Sequence, residues 1–115
     1  MSGRPATDAE VAVVRWLLKE AAVGPSPHDV DLASARVVSG CDCGCTSFDF
    51  LPLESDAAPK PVASAVAEWP DGTAAGVILW ASEQRVHGVE VHDLDEGTSR
   101  RNVSADLLRV WPTPA

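Results

Sequence analysis

Apolar residues recur at helical spacing near the start of the chain and change to strand-like alternation from residue 35 onward. Thr7 and Glu10 have the spacing of a capping box, in which each side chain meets the backbone amide of the other residue. The apolar positions that follow lie three or four residues apart, as on the buried side of a helix: Val11, Val14, Leu17, Leu18 and Ala21. Gly24 and Pro25 are expected to end this helix.

Two short strand-like segments come next. Residues 35–39 form an apolar run, and residues 46–51 alternate, with Phe48 and Phe50 on one face. We expect these segments to form a hairpin whose connection is the cysteine-rich stretch "SGCDCGCT". Residues 52–60 then form a loop.

Three further segments are predicted as strands. Residues 74–81 are the most apolar part of the chain, so we expect a central strand that is covered on both faces. Residues 62–69 precede it, and the turn residues Pro70 to Thr73 join the two. Residues 85–94 alternate, which groups the side chains as follows: His87, Val89 and Val91 on one face; Val86, Gly88, Glu90 and His92 on the other.

These elements predict the α+β class. The architecture is an antiparallel sheet of about five strands, with the N-terminal helix packed on one face and a short C-terminal helical turn. Ser104 is expected to cap that turn, which would bury Leu107 and Leu108. A chain of 115 residues suits a single domain, here 1–115.

The composition narrows the class of partner. The formal net charge is −8, and no basic stripe offsets it, so the sequence argues against nucleic acid and anionic membranes as partners. A cationic protein surface fits this charge better. The first ten residues lack the apolar region of a secretory signal, and no apolar run approaches the about 20 residues that span a bilayer. The sequence therefore predicts a soluble cytoplasmic protein.

Cys41, Cys43 and Cys45 are the only cysteines, and they occupy alternate positions. Zinc would need four ligands in a tetrahedron. On a straight strand these thiols would be about 6.6 Å apart, so the segment would have to curl at its flanking glycines to hold an ion. The fourth ligand would be His92 or His87. The pattern lacks the paired C-x-x-C motifs of common zinc sites, so the spacing is a weak signal for zinc and a weaker one for an iron–sulfur cluster.

Two other interpretations of the cysteines stay open. A redox role needs a thiol of low pKa, whereas Asp42 adds a negative charge that raises thiol pKa values. A purely structural role needs only small side chains in a crowded turn, and it is the interpretation that the spacing favours.

The segments "CDCGCTSFDF", "DGTAAGVILWAS" and "RVHGVEVHDLD" resemble a set of small bacterial proteins, chiefly actinobacterial, that share a C-x-C-G-C-x-[ST] motif. The resemblance spans about residues 35–95, and Cys-Gly-Cys is its most specific part. These proteins usually carry an aromatic residue at the position of His92. They have no assigned activity, so the resemblance implies a family without supplying a function or a cofactor.

Other side chains offer two more interpretations. Glu90 and His92 could act as an acid–base pair in a hydrolase, but no nucleophile motif accompanies them. Trp69, Trp80 and Trp111 could form an aromatic group at one end of the sheet and so a protein-binding surface, because tryptophan is enriched at interaction hot spots.

The sequence therefore favours a non-enzymatic protein-binding or regulatory module, with a protein partner or a homodimer through strand edges. The alternative is a metal-binding or thiol-sensing protein that uses Cys41, Cys43, Cys45 and His92. An enzyme is the least supported class.

Overall fold

The computed structural model describes residues 3–22, 35–39, 46–51, 58–82 and 85–110. They form a helix and a seven-stranded antiparallel sheet. The elements are β1 (Arg4–Pro5), α1 (Asp8–Trp16), β2 (Arg36–Ser39), β3 (Phe48–Phe50), β4 (Lys60–Glu68), β5 (Ala74–Ala81), β6 (Val86–Asp93) and β7 (Leu108–Val110). The strand order is β1-β2-β3-β6-β5-β4-β7. The predicted α+β class, antiparallel sheet and N-terminal helix are confirmed, but the prediction of about five strands was too low.

The start of α1 is fixed by the predicted capping box. The Glu10 amide donates to the Thr7 hydroxyl at 3.1 Å, and the Thr7 amide donates to the Glu10 carboxylate at 2.9 Å. Both guanidinium NH2 groups of Arg4 also donate to that carboxylate, each at 2.7 Å. Burial alone raises the pKa of Glu10, but the bonds from Arg4 and Thr7 outweigh it and hold the pKa below its usual value. A π-helical segment, Leu17–Ala21, continues α1.

Thr7→Ala is expected to lower the free energy of unfolding by about 1–2 kcal/mol, because the helix loses a side-chain cap on the Glu10 amide. Urea denaturation followed by circular dichroism measures this change. Thr7→Ser keeps the hydroxyl and serves as the control, so a loss as large for Thr7→Ser as for Thr7→Ala would contradict the capping role.

The sheet has two unlike faces. The core face packs against α1 and carries most of the buried side chains of the long strands. Its centre consists of Phe48 on β3, Ala65 on β4, Val77 and Leu79 on β5, and Val89 and Val91 on β6. Val11, Val13, Val14 and Leu17 of the helix complete this core. The alternate residues of the same strands form what we call the second face. On β5 these include Ile78 and Trp80, which are only half-buried, so the predicted burial on both faces was wrong for this strand.

A β-bulge places one residue on a different face of the sheet from the one predicted. Ala81 pairs with Val86, whereas the preceding Trp80 pairs with Gly88, so β6 has an extra residue between the two pairs. Val86 is therefore buried in the core cluster beside Val89, not grouped with Gly88 as strict alternation predicted.

The C-terminal part differs from its prediction. A 3-10 turn covers Ala105–Leu107, but the Ser104 side chain makes no capping bond to it and instead donates to the Asp106 carboxylate. The residues that follow form β7, which pairs with β4 and buries Leu108. A three-residue strand is too short to show alternation, so the sequence did not reveal it.

No helix in the described ranges has the length and apolar character needed to cross a membrane.

Candidate functional site

The second face carries an acidic and aromatic row across its middle. Asp49 on β3 pairs with Gly88 on β6, and Gly88 pairs in turn with Trp80 on β5. Residues that pair directly across antiparallel strands point to the same face. Two strand spacings of about 4.8 Å therefore separate Asp49 from Trp80, with only a glycine between them.

Asp49 is a half-buried carboxylate without a hydrogen bond from any residue in the described ranges. It leans over Gly88, since a Cβ atom built on that glycine would lie 2.5 Å from the Asp49 Oδ1 atom. Burial raises the pKa of Asp49, and the nearby His87 lowers it by a smaller amount. The side chain thus bears a desolvation cost that the nearby His87 offsets only in part.

An acidic and an aliphatic residue lie on the same face as this carboxylate. In the neighbouring row of the second face, Glu90 on β6 pairs with Ile78 on β5. The Glu90 side chain is 48% exposed, and Ile78 is half-buried. We call Asp49, Ile78, Trp80, Gly88 and Glu90 together the Asp49 site. It combines two carboxylates with an accessible indole and an aliphatic side chain.

Comparison with protein-family models, curated proteins and solved structures finds no match to this chain.

His92, the predicted metal ligand, lies beside the Asp49 site on the second face. It pairs with Gly76 on β5, and its imidazole covers that glycine so closely that a Cβ atom there would collide with the ring. Its Nδ1 atom is buried without a hydrogen-bond partner and lies 3.7 Å from Glu90 Oε2, beyond hydrogen-bonding distance. The Nδ1 atom therefore lacks a partner in this arrangement, and its spacing from Glu90 does not make an acid–base pair.

Cys41, Cys43 and Cys45 lie outside the described residues. Within the described ranges, no three His, Cys, Asp or Glu side chains group closely enough to hold a metal ion. The described residues contribute to the predicted zinc site only the imidazole of His92.

His87, the other candidate ligand, has local partners. Its Nε2 atom lies 3.2 Å from the Ser82 hydroxyl, and its Nδ1 atom lies 3.5 Å from the Arg85 guanidinium. Burial lowers the pKa of His87, and the Arg85 charge lowers it further, against an opposite effect of Asp49. The buried His87 imidazole, within bonding distance of the Ser82 hydroxyl, links the two strands at the end of the β5–β6 hairpin.

The tryptophans do not form the predicted group. Trp69 follows the end of β4 beside Thr73, whereas Trp80 pairs with Pro61 at the start of β4, so the two lie at opposite ends of the sheet. Trp69 is 9% exposed, and the Arg101 guanidinium covers its ring at 4.3 Å. Trp111 lies outside the described residues. Of the three, only Trp80 is both described and placed on an accessible face.

The acidic residues after β6 have structural roles. Asp93 accepts from the Ser99 amide at 2.7 Å, which holds the pKa of Asp93 below its usual value. Asp95 accepts from the Ala74 amide, also at 2.7 Å. These carboxylates fold the loop back onto β5 and are not free for chemistry.

Asp49→Asn is expected to stabilise the protein at pH 7 by roughly 0.5 kcal/mol, the scale of most surface substitutions. The pKa of Asp49 is raised in the folded state, so ionised Asp49 lowers the free energy of unfolding, and this loss is fully present above that pKa. The loss disappears as the pH falls through the folded pKa towards the unfolded value of about 3.9. Urea denaturation of both proteins from pH 7 to pH 3 measures the difference. A stabilisation that grows on acidification would contradict the assignment.

Proposed function

We propose that the chain is a non-enzymatic protein-binding module whose Asp49 site receives a basic side chain, preferably arginine, from another protein. The observation that carries this proposal is the half-buried Asp49 carboxylate, which has no donor in the described ranges and is desolvated beside an accessible tryptophan. A partner cation would supply the missing charge.

The surroundings favour arginine in two ways, and a basic side chain in general in two more. A guanidinium offers several donors in a plane and can bond to a carboxylate at two points. It also stacks on indole rings within about 6 Å of the ring centre, and Trp80 lies in the same row as Asp49. Glu90 adds a second negative charge in the next row. The net charge of −8 would attract a basic partner from a distance.

A synthetic tetra-arginine peptide tests this proposal, with two-dimensional NMR to locate the binding site. We expect saturable shift changes at Asp49, Gly88 and the Trp80 indole N–H. Asp49→Asn should weaken binding at least fivefold. Glu20→Gln removes the same charge from an exposed position on the helical side, and it should change the affinity less than twofold. Equal losses in both variants, or shifts spread over the whole surface, would overturn the proposal, because general attraction to an acidic protein would then be sufficient.

A homodimer remains compatible with this function, but the strand edges do not favour it. The edge strand β1 has two residues, one of them Pro5, which has no N–H to donate. The opposite edge strand, β7, has three residues. Short edges and proline oppose strand-to-strand pairing, so we expect a monomer by size-exclusion chromatography with light scattering. A dimer that Asp49→Asn dissociates would show that a second copy uses the Asp49 site.

Metal binding is the second candidate function, and His92 favours it. Its buried Nδ1 atom has no hydrogen-bond partner. The Ser47 hydroxyl accepts from the Val91 amide at 2.8 Å, next to His92, and Ser47 follows Cys45 by two residues in the sequence. We propose that any zinc bound by the cysteine triplet takes its fourth ligand from His92.

Elemental analysis of the purified protein, with thiol titration before and after chelation, tests the metal site. We expect the purified protein to contain zinc. The zinc content should fall in the His92→Ala variant and stay unchanged in the His87→Ala variant. If no metal copurifies and all three thiols titrate freely, this second candidate is wrong, and the protein-binding proposal is unaffected.

A further inference from the structure

A cavity of about 370 Å³ lies on the other side of the sheet, between the first half of α1 and the core face. Its lining is partly apolar and partly polar. The larger apolar residues belong to the helix, three strands and the segment before β7: Val13, Phe48, Val77, Val89, Val91 and Val103. Five of these residues are buried, and Val103 packs against the core. Valine predominates, and these short side chains leave space between the helix and the sheet.

The volume of this cavity lies near the lower end of the range for small-molecule binding sites. Sites for small molecules start at about 300 Å³ and have mostly apolar walls. An apolar cavity of about 150 Å³ is enough to hold benzene, so this one has room for a bicyclic molecule.

The polar groups at the cavity indicate an uncharged ligand. Arg4 and Glu10 line it, but they neutralise each other through two bonds of 2.7 Å. A charged ligand would have to compete with that ion pair. Thr7, Thr46 and Asn102 also line the cavity. Thr46 uses its single hydroxyl hydrogen on the Ser99 and Arg101 carbonyls, which leaves its oxygen free to accept.

Asn102 has unused hydrogen-bonding capacity. Its side chain is exposed and has no hydrogen bond from the described ranges. An amide can both donate and accept. Thr46 or Asn102 can therefore accept from a hydroxyl or N–H group of a ligand whose apolar body fills the cavity.

We propose that this cavity binds a small, uncharged, aromatic or bicyclic molecule with one hydroxyl or N–H group. The site is separate from the Asp49 site, because its walls lie on the core face and Asp49 lies on the second face. The two proposals therefore stand or fall independently.

Indole serves as the probe, because it is bicyclic, uncharged and carries one N–H group. In a two-dimensional NMR titration we expect saturable shifts at Thr46, Asn102 and Val103, with half-saturation below about 1 mM. Asn102→Ala should weaken binding a few-fold through the lost hydrogen bond.

A matched pair of variants on α1 separates this site from general apolar binding. Ala9 lines the cavity and is exposed, so Ala9→Phe places a ring over the opening. Ala12 is exposed on the same helix and does not line the cavity, which makes Ala12→Phe the control. We expect Ala9→Phe to weaken indole binding at least tenfold and Ala12→Phe to change it less than twofold. No saturable shift below about 1 mM, or equal affinities of the two variants, would overturn the proposal.

Discussion

Leu79→Ala is expected to lower the free energy of unfolding by about 3 kcal/mol, in the range for large-to-small substitutions in a core. Leu79 is fully buried and pairs with Val89 and Ala63 on the two neighbouring strands. Alanine recurs at the core-face positions of β4, and these small side chains cannot extend into the space left behind. Urea denaturation measures the loss.

Ile78→Ala is the matched control for this prediction. Ile78 is the preceding residue on the same strand, but it is only half-buried and faces the other way. Its truncation should cost about 1 kcal/mol, since little of a cavity forms at a partly exposed position. A loss for Leu79→Ala no larger than that for Ile78→Ala would contradict the assignment of the two faces.

Gly88→Ala is expected to lower the free energy of unfolding by about 2 kcal/mol, as overpacking does. It should also weaken the binding of tetra-arginine at the Asp49 site. The added Cβ atom would lie 2.8 Å from the Phe48 carbonyl oxygen, and 2.5 Å from Asp49 Oδ1. The carboxylate can rotate away, but the carbonyl belongs to the backbone of β3. Relief therefore requires β3 and β6 to move apart. Denaturation and the tetra-arginine titration measure the two effects.

Gly76→Ala distinguishes a backbone clash from a side-chain clash. There the nearest atoms are all in the His92 imidazole, and that side chain is 37% exposed and can turn outward. We expect Gly76→Ala to lower the free energy of unfolding by less than Gly88→Ala does. In the double variant, His92→Ala should recover the stability that Gly76→Ala loses. Asp49→Ala should not recover the stability lost in Gly88→Ala. Full recovery in that double variant would show that the backbones of β3 and β6 do not constrain the glycine.

Much of the fold was predictable because its signals are local. The Thr7 and Glu10 spacing predicted the helix start, and the alternation of Phe48 and Phe50 predicted β3 with the correct inward face. The strands β4, β5 and β6 were long enough for their apolar patterns to show. In contrast, β1 has two residues and is defined only by its pairing with β2.

The Asp49 site could not be predicted because it depends on strand order. β3 pairs with β6, which is not its neighbour in the sequence, so nothing local brings Asp49 over Gly88. The separation of Trp69 and Trp80 could have been predicted. The turn at Pro70 to Thr73 makes β4 and β5 antiparallel, which sends a residue after β4 and a residue late in β5 to opposite ends.

The strand order also has a consequence for the route by which the chain reaches its native state. β4, β5 and β6 are joined by short connections and pair in sequence order, so their contacts form at low loop-closure cost. The pairing of β3 with β6, and that of β7 with β4, must close longer loops. We expect a nucleus made of the three-stranded meander, with Leu79→Ala slowing refolding and Leu108→Ala mainly accelerating unfolding in stopped-flow chevron plots.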